Sequence, residues 1–439
     1  MSLERLEMLR RDMKKCVRCS LCKLVPLPTI QDARFTSACP PVDQYHFHAY
    51  SGGGIQVMAL SLLDGRIEAD HELAGIVAAC TTCGMCDVAC KFIMAAERHE
   101  VIMALKEHLV ESGLALAPQQ ARRTNLERFG DSAGQPALPP NRWANGLPIK
   151  RAPSERAPVL LFAGTGTAHD SRHAACARKL AQLLIRSGID FAILSSEPDS
   201  GLELYWTGHR QAFEKQARRV VDLLDQSGAE TIVTLCGEDL GLFRAIFPVY
   251  GRAPQADVLH ASEFLLQLVQ DDRLPLIQAV HRQVTYHDPC YLGRRSERPQ
   301  EWHGSERRTH GVMRYFVPPK PINYGVGGVF DAPRQLLRRV PGLQLVEMQR
   351  IREYAYCCGG GGAVPDTHPE VARSAALQRR EEARAQDADL LITACQHCRH
   401  NLSRWQEGDS LPVVDLVDII HEAAGLDAVP NGNEGMPAS

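Results

Sequence analysis

The chain has 439 residues, of which 44% are hydrophobic, so a buried core and two to four domains are expected. A formal net charge of -3 without a long basic run excludes a general nucleic-acid binder. The longest apolar runs, such as 159–164, are too short to span a bilayer, and the first residues (Glu4, Arg5, Glu7, Arg10, Arg11) leave no room for an apolar signal core. The expectation is a cytoplasmic chain, soluble or peripheral on the inner face of the membrane through a partner. Fifteen cysteines are many for such a chain. Their ligand-like spacing argues against disulfides and for metal, with zinc as the alternative to iron–sulfur at paired positions.

Residues 2–15 carry Leu3, Leu6, Leu9 and Met13 near helical spacing and lead into Cys16-Val-Arg-Cys19-Ser-Leu-Cys22. The next cysteine, Cys39, is followed by Pro40, so 23–38 reads as a loop insertion. Ser51-Gly-Gly-Gly54 reads as a turn, with close approach to a ligand as the alternative, before a helix near 56–63. Then comes Cys80-Thr-Thr-Cys83-Gly-Met-Cys86-Asp-Val-Ala-Cys90. Two-residue spacing lets three thiolates converge on one cubane [4Fe–4S] cluster, while the fourth cysteine ligates a second. Crossed ligation assigns Cys16, Cys19, Cys22 and Cys90 to one cubane and Cys39, Cys80, Cys83 and Cys86 to the other. A helix over 95–112, C-capped by Gly113, closes this unit.

Residues 130–157 are rich in Gly, Pro, Ala and Asn and read as a linker. Apolar runs then alternate with helical segments. Strands are expected at 159–163, 190–194 and 231–235, and helices at 172–187 and 208–227. The order returns with strands near 284–287, 344–347 and 390–393 and helices near 332–339 and 370–385. Ala229-Glu-Thr-Ile-Val-Thr-Leu-Cys236 matches Ala388-Asp-Leu-Leu-Ile-Thr-Ala-Cys395, an internal repeat. The fold class is α+β: a helical two-cluster ferredoxin-like domain (1–129), the linker, two repeated α/β half-domains with parallel sheets (158–282 and 283–428), and a tail (429–439).

Cys290, Cys357, Cys358, Cys395 and Cys398 all fall at or after expected strand ends, where open α/β sheets bind ligands. Gly359-Gly-Gly-Gly362 would let backbone approach a bulky inorganic core. Tyr286-His-Asp-Pro-Cys-Tyr-Leu-Gly293, Cys357-Cys-Gly-Gly-Gly-Gly362 and Cys395-Gln-His-Cys398 resemble the cysteine-rich domain of heterodisulfide reductase. The whole arrangement is similar to the iron–sulfur chain of that enzyme that joins a ferredoxin domain to two such domains, and to the iron–sulfur subunits of anaerobic glycerol-3-phosphate dehydrogenase, glycolate oxidase and lactate-utilisation systems. The resemblance implies one further [4Fe–4S] cluster, cubane or noncubane, on those five cysteines.

Two departures stand out. About thirty extra residues, roughly 294–326, separate Cys290 from Cys357 and include Arg294, Arg295, Arg298, Trp302, Arg307 and Arg308. They read as a partner-docking loop or a solvated insertion. In the first half-domain the cysteine positions read Thr165, Asp199-Ser-Gly201 and Cys236-Gly-Glu-Asp239. One thiolate cannot hold a cubane, so this half is expected to be structural or a docking platform. Cys176 reads as a buried thiol, and His287, His397 and His400 as neighbours of the clusters. Gly164-Thr-Gly166 lacks the third glycine of a dinucleotide loop.

These features lead to an electron-transfer subunit of a multisubunit oxidoreductase. It would link a flavoprotein dehydrogenase or electron-transfer flavoprotein to quinone, through a membrane quinone-reactive subunit, or to ferredoxin. The alternative is a catalytic disulfide reductase working at the C-terminal cluster. An assembly or sensing role fits two crossed clusters poorly.

Overall fold

The computed structural model describes residues 2–134, 141–310, 313–406 and 410–426. The tail assigned to 429–439 lies outside the described residues, as do 135–140 of the expected linker and 311–312 of the insertion. The N-terminal unit packs short helices around Leu6, Met13, Ile55, Ala59, Leu73, Val77, Val101 and Leu105. Its first expected helix is two, Ser2–Met8 and Arg10–Lys14. The single helix expected over 95–112 begins later, at Arg98–Glu111, because Met85–Met94 is a helix of its own that ends at Ala95 with φ +47°. Asp87 sets the new start by accepting from the N–H groups of Arg98 and His99 at 2.7 and 2.8 Å. Gly113, at φ +79°, closes the helix as expected.

The rest is built on two parallel sheets. The first uses β1 (Lys150–Ala152), β2 (Val159–Phe162), β3 (Phe191–Leu194), β4 (Thr231–Thr234) and β5 (Asp257–His260) in the order β1-β3-β2-β4-β5. After β6 (Arg282–His287) comes a two-stranded antiparallel hairpin, β7 (Ser305–Thr309) and β8 (Met313–Val317). Strands β9 (Leu343–Leu345), β10 (Leu390–Thr393) and β11 (Val413–Asp415) complete the second sheet in the order β11-β10-β6-β9. The central strands β2 and β10 are buried along their whole length, as continuous apolar runs covered on both faces should be. In each sheet the strand leading to the first cysteine position pairs in parallel with the strand leading to the third: β2 with β4, and β6 with β10.

The stretch read as a linker is part of this body. Residues 150–152 form the edge strand β1, Trp143 is buried, and Asn141 donates its amide to the Leu194 carbonyl at 2.6 Å. A loop rich in Gly and Pro can thus be pinned by a few side chains. Ser51–Gly54 is not a turn either: Ser51 caps the helix Gly52–Leu63 by accepting from the Gly54 N–H at 3.0 Å.

The insertion at 23–38 has an internal purpose. It pairs with itself through Val25 N–H to Thr36 O and Ala38 N–H to Lys23 O, and then docks on the C-terminal half. Arg350 donates to the Ser37 carbonyl at 2.8 Å, and Gln349 accepts from the N–H groups of Gln31 and Asp32.

Candidate iron–sulfur centres

Cys16, Cys19, Cys22 and Cys90 line one small cavity, of about 20 Å³. Their loop reaches it through left-handed residues, Arg18 at φ +57° and Ser20 at φ +67°, which fold the chain tightly enough for its sulfurs to converge. Cys19 lies at the surface and Cys22 is buried. Arg98, itself buried, donates Nε–H to Cys90 Sγ at 2.8 Å.

Cys39 and Cys86 each lie near Cys80 and Cys83. Burial, reinforced by Cys80 and Cys83, raises the Cys39 thiol well above its ordinary range. Burial, Asp87 and the same two cysteines do so for Cys86. The turn between them uses Thr82 at φ +55° and Gly84 at φ +74°. Gly52 is the close-approach position here: a Cβ on it would sit 2.7 Å from Cys86 Cβ and 2.9 Å from Cys86 Sγ.

The C-terminal cysteines form two touching groups. Cys290 and Cys357 are within hydrogen-bonding reach of each other, and Cys83 of the second set also reaches Cys357. Cys358 reaches both Cys357 and Cys398, and Cys398 reaches Cys395. Contacts from Cys357 and Cys398 hold the Cys358 thiol well below its usual range, whereas contact and burial raise Cys290 and Cys398. Metal binding requires thiolates, so a cluster bound here would displace the thiol protons of this array. Backbone N–H groups of Gly359, Gly360 and Cys398 each lie 3.4 Å from a cysteine sulfur, at Cys357, Cys358 and Cys395 respectively. Dense sulfur donors with N–H···S support fit iron–sulfur ligation.

The glycine run, however, faces elsewhere in part. A Cβ on Gly361 would meet the Thr81 carbonyl at 2.7 Å, and one on Gly362 the Cys80 carbonyl at 2.4 Å. These two glycines bring backbone against the second ferredoxin motif rather than against an inorganic core.

Two of the insertion's arginines are internal ties. Buried Arg294 donates to the carbonyls of Cys83 at 2.7 Å and Ala355 at 2.8 Å, and Arg295 donates to Tyr205 Oη at 2.9 Å. The β7–β8 hairpin carries the exposed part, including Arg307 and Arg308, with Trp302 set edge-on to Phe316.

Cys236 is the residue that sequence reasoning undervalued. It follows β4, is buried, and places its sulfur 3.8 Å from Cys395 Sγ across the seam between the sheets. Its Sγ is 3.3 Å from Glu238 Oε2, which also contacts His397 Nδ1. The only signal in the sequence was that Cys236 kept its place in the repeat. Cys176 is a buried thiol, as expected. His287 lies within 4.8 Å of Cys358 and Cys398, whereas His400 turns towards Asp170. Glu197 excludes the dinucleotide reading of Gly164-Thr-Gly166, because its buried carboxyl takes the N–H groups of Ala163 and Gly164.

Comparison with known proteins agrees with this picture. Residues 12–92 match the 4Fe-4S dicluster domain and residues 315–403 the cysteine-rich domain. The chain is 29% identical over 367 residues to the iron–sulfur D chain of the dihydromethanophenazine:CoB--CoM heterodisulfide reductase of Methanosarcina mazei, covering 81% of this chain and 80% of that protein. It is 27% identical over 394 residues to the probable iron-sulfur-binding oxidoreductase FadF of Bacillus subtilis, covering 85% and 50%. It is 22% identical over 366 residues to the EtfAB:quinone oxidoreductase of Syntrophomonas wolfei, covering 78% and 46%. Among the described residues no helix is long and apolar enough to cross a membrane.

Proposed function

We propose that this iron–sulfur chain, of the heterodisulfide reductase type, is the electron-relay component of a multisubunit oxidoreductase. One side would meet a flavoprotein dehydrogenase or electron-transfer flavoprotein, and the other a quinone-reactive subunit or ferredoxin. The observation that carries the reading is the contact between Cys83 and Cys357. It joins the set of Cys39, Cys80, Cys83 and Cys86 to the C-terminal five, and Cys22 of the first set lies near Cys39 and Cys86, which supports three sets in series. Clusters bound there would supply one-electron chemistry. The protein's own part is to fix the spacing, bury much of the two inner sets, and donate hydrogen bonds to the sulfurs. An electron-transfer flavoprotein partner is suggested by the name of the Syntrophomonas relative.

A second reading has its own observation. A cavity of about 630 Å³, open to solvent, reaches Cys236, Gly360 and His397 at the edge of the C-terminal set. Such space would admit a small disulfide.

Iron and sulfide analysis with EPR on anaerobically purified protein tests both. Three four-iron clusters give about twelve irons, falling by about four in a Cys357→Ser, Cys358→Ser variant. Reduction of the wild type by an electron-transfer flavoprotein without turnover of small disulfides supports the relay. Disulfide turnover by the isolated chain supports the second reading. A count of about eight irons that the variant leaves unchanged ends the relay at the ferredoxin domain.

A further inference from the structure

At the mouth of the same cavity three unlike donors meet. Cys236 Sγ, Glu238 Oε2 and His397 Nδ1 all lie within 4.8 Å of one another. Cys236 is 3% and Glu238 5% exposed, so a carboxylate and a thiol have been buried side by side. Burying a carboxylate next to a group that can become an anion is costly unless a cation sits with them; His397, in contact with Glu238 Oε2, or a metal ion in its place would be that cation. The His397 side chain is about half exposed, at 47%, and faces the cavity. A fourth group points the same way. His173 is only 7% exposed, its Nε2 has no hydrogen-bond partner, and its ring borders the same cavity.

We propose that Cys236, Glu238 and His397 form a mononuclear site for a divalent ion of the zinc type, open to solvent on its cavity side. The donor set is mixed. One sulfur, one nitrogen and one oxygen suit a borderline-soft ion and are unlike the all-cysteine sets assigned to clusters. Three protein ligands with a face on open space are the arrangement of a zinc ion that keeps one position for water or substrate. The ligands come from both half-domains, Cys236 and Glu238 following β4 and His397 following β10. The half-domain that lost its cluster thus keeps a metal-binding function by sharing the thiol of its third cysteine position across the seam. This site does not depend on the relay reading, because a zinc-type ion has no redox chemistry of its own.

The test uses the full chain with its clusters in place, exposed anaerobically to Zn²⁺, or to Co²⁺ as a spectroscopic substitute, and then desalted. One zinc per chain is expected beyond the iron, and Co²⁺ should show a thiolate-to-metal charge-transfer band with tetrahedral d–d absorption. Cys236→Ala should abolish both. Glu238→Gln, which keeps the shape, should weaken binding by at least about tenfold, the scale on which even outer-shell changes act. Iron and sulfide should stay at wild-type counts in both variants. Equal zinc uptake by wild type and variants, or a cobalt spectrum without the thiolate band, would overturn the proposal. So would loss of iron with Cys236→Ala, which would make Cys236 a cluster ligand instead.

Discussion

Arg379 donates its Nε hydrogen to His287 Nδ1 across 3.0 Å, and both side chains are buried. Because a guanidinium can only donate, Nδ1 must accept, and the neutral imidazole carries its proton on Nε2. That Nε2 has no hydrogen-bond partner, and a ring nitrogen of His287 lies within 4.8 Å of the Cys358 and Cys398 sulfurs. His287 is therefore set to donate to the C-terminal sulfurs, not to bind metal. Hydrogen bonds to sulfur raise a cluster's potential by favouring the more negative, reduced state. A bond to a charged group contributes roughly 1.5–3 kcal/mol, and about 59 mV corresponds to about 1.4 kcal/mol for one electron. Only the difference between oxidation states counts, so His287→Ala should lower the C-terminal potential by tens of millivolts, on the order of half that figure or more. EPR-monitored redox titration, with iron content unchanged, checks this.

Two glycine-to-alanine changes should act in opposite directions. At Gly52 the new methyl would overlap Cys86 Cβ and Sγ, and both lie on helices that cannot move independently. Gly52→Ala should strip the iron of the second set, seen as a loss of about four irons per chain. Gly75, inside the helix His71–Ala78, has nothing within 4 Å of such a methyl. Gly75→Ala should raise stability by about 0.5–1 kcal/mol in denaturant unfolding, with iron unchanged.

Glu382 is fully buried between Arg350 and Arg379, whose guanidiniums lie at 2.9 and 2.7 Å. Burial alone would raise its carboxyl, but Arg379 and Arg350 outweigh it and hold it below the usual range. The stability it contributes is thus present above the unfolded glutamate value of about 4.3 and is lost as pH falls through the lower folded value. Glu382→Gln leaves two buried cations without their anion and should cost about 3–5 kcal/mol, as the midpoint of denaturant unfolding would show. The variant should also lose the wild type's extra sensitivity to acid.

Glu197 behaves in the opposite sense. Burial raises its carboxyl to about 8, against the two backbone N–H groups it accepts, and Asp239 adds to the rise. Folded protein then holds a proton that unfolded chain releases above about 4.3, so this group makes stability fall as pH climbs from there to about 8. Glu197→Gln should flatten that decline; because Ala163 and Gly164 donate to different oxygens of Glu197, the amide keeps one of the two bonds and loses the other. Thermal melts across the interval measure it.

What could be read from the sequence was what is local. The two-residue spacings of Cys16 to Cys22 and of Cys80 to Cys86 and the apolar runs of β2 and β10 are short-range patterns; the spacings fall within the match to a dicluster domain, and the runs form strands. Strand β1 is Lys-Arg-Ala at a sheet edge, and β7 is Ser-Glu-Arg-Arg-Thr in an exposed hairpin; neither has an apolar signature. The meeting of Cys236 with Cys395 depends on how two sheets pack, 159 residues apart in sequence. Gly361 and Gly362 were legible as close-approach residues, but what they approach is the backbone of Cys80 and Thr81, a choice only tertiary packing makes.

Arg294 ties the carbonyl of Cys83 to that of Ala355, and Gly361 and Gly362 press on the same ferredoxin loop. The loops of the second and C-terminal cysteine sets thus share one backbone seam with no room for a hinge. Disorder introduced in the Cys83 loop should therefore slacken the loop that carries Cys357 as well.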